Sequence, residues 1–129
     1  MKVIQSIKSK IKKPIKPKKV TQAMCDKLLT PIVKKYHPKC LLCGHDTQVA
    51  HHFIKKSTCL NLRYDMENLI NLCNPCHFRL HFNDEGMWNG RIALMKGEMW
   101  LNYLESKKHK LIKPDYNKTY EDLKIMLAN

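Results

Sequence analysis

Four of the six cysteines form two matched pairs, Cys40-x2-Cys43 and Cys73-x2-Cys76, with 29 residues between them. Two residues between ligands let both thiolates of a pair face one ion, and zinc accepts a tetrahedron of such soft sulfurs. Four cysteines leave no coordination position open, so the spacing points to a structural Zn2+ that clamps the two ends of the intervening segment. Such an ion supplies folding free energy to a module too small for a large core. The plainer alternative is two unrelated cysteine pairs. Cys25 and Cys59 have no partner at a ligand spacing and read as small core residues.

A second constellation lies between and just after the pairs. His51 and His52 are adjacent, Asn68 follows, and His77-x3-His81 comes directly after Cys76. On a helix, positions 77 and 81 lie one turn apart on one face, so two imidazoles can grip one ion. A third imidazole from a facing strand would complete a three-ligand site open to water or substrate, the arrangement of a catalytic metal. Taken singly, each histidine reads as structural, and His37, His45 and His109 are given no role.

These residues need elements to position them. Gly44, directly after Cys43, suits the tight turn of a zinc knuckle over Cys40 to His45. Thr47 to Ile54 reads as a strand, Lys55 to Glu67 as a polar, basic loop, and Asn68 to Leu72 as a second strand pairing back on the first. Asn74-Pro75 is a turn signal, with Pro75 in the first turn of a helix that carries Cys76 to His81 or a little further. Neighbours on a regular strand point to opposite faces. His51 and His52 can therefore serve one substrate only if the strand ends or bends there.

Ahead of the knuckle, Val20 to Tyr36 has a helical pattern, with Thr21 as N-cap, Pro31 expected to kink or divide it, and Pro38 ending it. After the histidine pair, Arg91 to Lys110 is mostly helical in pattern, with Trp88, Trp100 and Tyr103 expected as packing over the metal module. Thr119-x-x-Asp122 looks like a capping box opening a last short helix. The division read from these patterns is a basic arm over 1–19, a helical lead-in over 20–38, a core over 39–83 and a helical extension over 84–129.

The 129 residues carry 24 Lys plus Arg against 11 Asp plus Glu, a net charge of +13. The excess is uneven: residues 1–39 hold 12 lysines and a single acid, Asp26. Lysines that neutralise phosphates release condensed counterions, so nucleic acid is the favoured partner. Anionic lipid would attract the same arm, but residues 1–19 lack a strong apolar face with aromatic anchors. A solvated tail is the bland alternative. Lys55, Lys56 and Arg63 are candidate phosphate contacts, with a solvated loop as the competing reading for each. Apolar runs fall far short of the ~20 residues that cross a bilayer, and no signal-peptide order is present, so no membrane partner and a cytoplasmic location are expected.

The stretch VAHHFIKKSTCLNLRYDMENLINLCNPCHFRLH resembles the HNH endonuclease motif, the strand-strand-helix metal nuclease module, in its zinc-bound variety. Its H-x3-H ending is similar to the bacterial colicin DNases of that superfamily. LRYDMENL resembles the phage NinG-like recombination proteins, whose pattern usually departs at the position of His77. The resemblance covers about residues 40–82. It implies a small α+β fold, a ββα-metal (His-Me finger) module with a structural zinc, flanked by helices and the basic arm.

Residue by residue, the resemblance implies His52 as the general base that activates water and His51 as the metal ligand before it, where many relatives have Asp. It implies Asn68 as the central Asn that supports the base, and His77 and His81 as helix ligands. One catalytic divalent metal (Mg2+, Mn2+, Ni2+ or Zn2+) would stabilise the phosphate and the 3′ leaving group, leaving a 5′ phosphate and a 3′ hydroxyl. Three neutral imidazoles favour a transition metal. The expected substrate is duplex or branched DNA, cut by a monomer or homodimer of a small phage or mobile-element nuclease. The reading from another class is a non-catalytic zinc-ribbon nucleic-acid-binding protein, which needs neither His52 nor the three-histidine set.

Overall fold

The computed structural model describes residues 19–56, 60–108 and 112–129. The basic arm, apart from Lys19, lies outside the described residues, as does Cys59. Among the described residues the chain forms a small α+β fold of five helices and one two-stranded antiparallel sheet.

Helix α1 (Gln22–Tyr36) starts where Thr21 turns extended and its hydroxyl oxygen accepts the Met24 N–H. Cys25, Leu29, Ile32 and Val33 recur at helical spacing and are buried. Pro31 does not divide the helix as expected. A mid-helix proline costs about 3 kcal/mol, and burial of this four-residue face against the sheet and the last helix offsets that loss.

Strands β1 (Val49–His52) and β2 (Leu69–Leu72) pair in the register Val49 with Leu72, Ala50 with Asn71, His51 with Ile70 and His52 with Leu69. Both are shorter than the sequence patterns suggest. Cross-strand partners share a face, so the register assigns sides. Val49, Ile70 and Leu72 enter one core with Leu62, Leu80, Ile92, Trp100 and Leu104; Ala50 and Leu69 enter a second core with the α1 residues and Leu123. The sheet is therefore covered on both faces.

The segment after β1 is not the plain polar loop expected. It holds two short 3₁₀ turns, Leu60–Leu62 and Met66–Asn68, and Leu62 is fully buried. Helix α2 (Asn74–Phe82) begins at Cys73 with proline in its first turn. Helices α3 (Glu85–Lys96) and α4 (Glu98–Lys107) replace the single helical stretch expected over Arg91 to Lys110. Gly97 separates them at φ +96°, a backbone conformation that glycine adopts without strain. The break turns Met99 to solvent, 88% exposed, although its spacing from Ile92 suits a shared helix face. Trp100 is buried as expected, and its indole N–H donates to the Glu67 carbonyl at 2.7 Å.

Helix α5 (Tyr116–Ala128) starts earlier than the Thr119 capping box predicts. Asp115 is the N-cap, and its carboxylate accepts the Lys118 N–H at 3.2 Å. Cys25 lies in the second core, its thiol donating to the Tyr116 carbonyl at 3.5 Å. No helix among the described residues is long and apolar enough to cross a membrane.

Candidate metal centres and cleft

The knuckle is closed by its own backbone. The Cys40 N–H donates to the His45 carbonyl at 2.6 Å and the Gly44 N–H to the Cys40 carbonyl at 2.9 Å. Gly44 sits at φ +79°, where a side chain would be strained. Opposite, Cys73 caps α2 and Cys76 lies in its first turn. The positive end of the helix dipole favours anionic sulfur there. All four ligand atoms lie within 4.8 Å of one another. Cys43 Sγ and Cys73 Sγ are 3.4 Å apart, well beyond a disulfide bond.

Burial works upward on the Cys40 thiol, yet hydrogen bonds from the Cys73, Cys43 and Leu42 backbone outweigh it and bring the group down to about 7. Burial pushes the Cys76 thiol up, helped by its sulfur neighbours. Crowded thiols that resist losing every proton are what a divalent cation relieves. These four cysteines could hold a structural zinc.

The second cluster follows on the same helix. His77 and His81 lie one turn apart on α2 with their Nε2 atoms 2.9 Å apart. His51 meets them from β1, its ring centroid 5.3 Å from each of the other two. One ligand nitrogen from each histidine falls within 4.8 Å of the others. His51 is 4% exposed, and burial, reinforced by the neighbouring His77, lowers its pKa to about 4. Burial also lowers His77. Neutral imidazoles carry the free lone pair a metal needs, so the donor set fits a borderline divalent ion. Asn89 on α3 places its Oδ1 3.4 Å from His51 Nε2, a partner nothing in the sequence pattern indicated.

His52 shares its face with Leu69, opposite to that of His51. Its Nε2 lies 2.9 Å from the Arg63 carbonyl oxygen, so Nε2–H donates and the lone pair is left on Nδ1. Burial lowers the His52 pKa, opposed by that hydrogen bond. The strand ends at His52, which meets the geometric requirement stated above. Both adjacent histidines line one cleft of about 560 Å³, together with His77, His81, Lys55, Lys56 and Glu85.

Asn68 is fully buried and outside the cleft. Its side-chain oxygen accepts the Ile54 N–H at 2.8 Å, and its amide donates to the Ile54 and Leu62 carbonyls at 3.0 and 3.2 Å. It closes the loop between the strands, and so acts as a positioning residue. Arg63 lies outside the cleft lining. Its guanidinium is buried against Asp26 of α1, with Nε to Oδ1 at 3.0 Å and a second nitrogen to Oδ2 at 2.6 Å. A side chain committed to that pair is structural, in place of the expected phosphate contact. Tyr64 donates to the same carboxylate at 2.8 Å. Asp26 had one signal in the sequence, its isolation as the sole acid among 12 lysines, and that signal does not name a partner.

No known protein family, curated protein or solved structure matches this chain.

Proposed function

We propose that this protein is a metal-dependent endonuclease of the HNH type, hydrolysing phosphodiester bonds of DNA with a ββα-metal module. The observation that carries the reading is one cleft lined both by three convergent imidazoles and by a fourth whose Nδ1 is free to take a proton. A binding module would need neither.

His51, His77 and His81 would hold the divalent ion. When bound, that ion supplies charge stabilisation to a phosphate oxygen and to the departing 3′ oxygen. His52 Nδ1 accepts the proton of the attacking water. The Arg63 carbonyl fixes the tautomer that makes this possible and holds the ring in place. Asn68 keeps the intervening loop closed, so that this carbonyl stays where His52 can reach it. Lys55 and Lys56, on the cleft wall, draw the phosphate in. The lysine-rich arm adds affinity without sequence preference. A zinc held by the four cysteines would fix strand and helix so that the histidines converge.

Incubation with supercoiled plasmid across a series of Mg2+, Mn2+, Ni2+ and Zn2+ tests the proposal. Nicked product is expected, falling ~10²–10⁴-fold in His52→Ala while DNA binding persists. Equal cleavage by parent and variant removes His52 as the base. Binding with no cleavage under any metal favours the non-catalytic zinc-ribbon reading.

A further inference from the structure

Helix α2 carries a second surface beside the histidines. Phe78 and Phe82 are 63% and 76% exposed, one turn apart, with ring centroids 4.5 Å apart and planes tilted by 32°. Isolated exposed apolar residues are ordinary. Two phenylalanines packed on one another with water on their outer faces form a patch. The groove around them is lined by Pro75, His77, Arg79 and His81, and no carboxylate lines it. His77 and His81 therefore line this groove and the cleft together.

The geometry points to this groove as a platform on which an unpaired nucleotide base stacks, next to the phosphate held at the histidine cluster. The placement of that phosphate rests on the nuclease reading. Continuity comes first: His77 and His81 line both hollows, so a strand whose phosphate reaches them lies beside the two rings. Charge comes second, because a groove that carries Arg79 and no acid suits a polyanion. The rings decide the rest. A phenyl face offers no hydrogen bond and so cannot read a base edge; it offers a π surface to another flat ring. Paired bases in a duplex keep their faces stacked on each other and show only edges in the grooves. The groove thus selects for unpairedness, and the substrate class it implies is DNA with a bubble, flap or single-stranded junction.

Fluorescence anisotropy in the His52→Ala background, where cleavage is strongly reduced, compares a fully paired duplex with the same duplex carrying a short unpaired bubble. The bubble is expected to bind roughly tenfold tighter or more, the range of one to two stacked bases. The ratio should collapse toward one in Phe78→Ala/Phe82→Ala and return in Phe78→Trp/Phe82→Trp. A 2-aminopurine placed in the bubble should lose fluorescence on binding parent protein, and keep it with the alanine variant. Both rings are largely exposed, so the alanine variant should melt normally.

Equal affinity for paired and unpaired DNA overturns the platform, and so does a bubble preference that survives the alanine changes. Sedimentation supplies the remaining outcome: a parent dimer that the alanine variant dissociates would assign the rings to an interface between copies and overturn the inference. Plasmid nicking without bubble preference sinks the platform alone. Bubble preference with aminopurine quenching, but without nicking, sinks the nuclease reading and leaves the platform standing.

Discussion

The two ligand clusters share one helix and one strand pair, yet they differ in every property that decides what an ion does. The sulfurs sit at the N-terminal turn of α2 and beside backbone amides, where negative charge is stabilised. Three of the four cysteines are buried, and four soft donors complete a tetrahedron. Two of the imidazoles follow on the same helix, with His81 in its last turn where a cation is favoured, and the third comes from β1. They are three, and they line a cleft with two lysines on its wall. A closed donor set can only hold structure together. An incomplete one beside a cleft leaves room for water and a substrate oxygen. On the proposed function, the same nine-residue helix serves both scaffold and chemistry, and donor number tells the two apart.

The largest expected effect breaks the sulfur side of that comparison. Cys73→Ser leaves a good N-cap residue in place but removes one of four ligands. Structural zinc supplies on the order of 10 kcal/mol to small modules, so the variant should lose its zinc and its cooperative thermal melt. A normal melt with unchanged zinc content would sink the structural assignment. His81→Ala should do the reverse, keeping zinc at the cysteines and melting within a few degrees of the parent, while plasmid nicking falls to background. Parallel loss of fold in both variants would erase the distinction between the clusters.

A smaller effect sharpens the histidine side. Burial would raise the Asp26 carboxyl, but hydrogen bonds from Arg63 and Tyr64 outweigh it and hold the group below the usual carboxylate range. A depressed folded pKa contributes stability above the unfolded value of about 3.9, lost as pH falls through the folded one. Asp26→Asn should therefore cost ~1–3 kcal/mol at neutral pH. The gap to the parent should stay flat between pH 8 and pH 5, and narrow only below about pH 4. Urea unfolding across that range measures it, and a gap that changes between pH 8 and pH 5 would assign the effect to another group. Nicking should fall as well, since Arg63 offers its side chain to Asp26 and its carbonyl to His52.

The smallest effect concerns the helices behind the frame. The buried Trp88 indole nitrogen has no hydrogen-bond partner among the described residues. Trp88→Phe removes that unsatisfied donor while keeping most of the ring, so stability should stay level or rise by about 1 kcal/mol. A loss beyond about 2 kcal/mol by urea unfolding would mean that the N–H is doing bonding work.

Local chemistry is legible in the chain itself. A two-residue spacing places two sulfurs on one ion, a four-residue spacing on a helix places two imidazoles on one face, and Gly44 marks the turn, because each is set within a few residues of backbone. The helix starts at Thr21 and at Cys73-Asn74-Pro75 were equally local. Pro31 misled because its penalty is local while the burial that offsets it is not. The Thr119 box misled because Asp115, one turn earlier, offers an equivalent cap. Lys55, Lys56 and Arg63 were indistinguishable as a basic loop until packing separated them.

By itself the sequence determined the two donor sets, their spacing, the uneven charge and the residue types able to move a proton. Tertiary structure alone decided that His51 and His52 face opposite sides of β1 yet line one cleft, since pairing register sets sides and strand ends set reach. It alone decided that Arg63 meets Asp26, 37 residues away, and that Phe78 and Phe82 meet water. Spacing is carried by the covalent chain over a turn or two; burial and long-range partners emerge only when separate segments compete for the same volume.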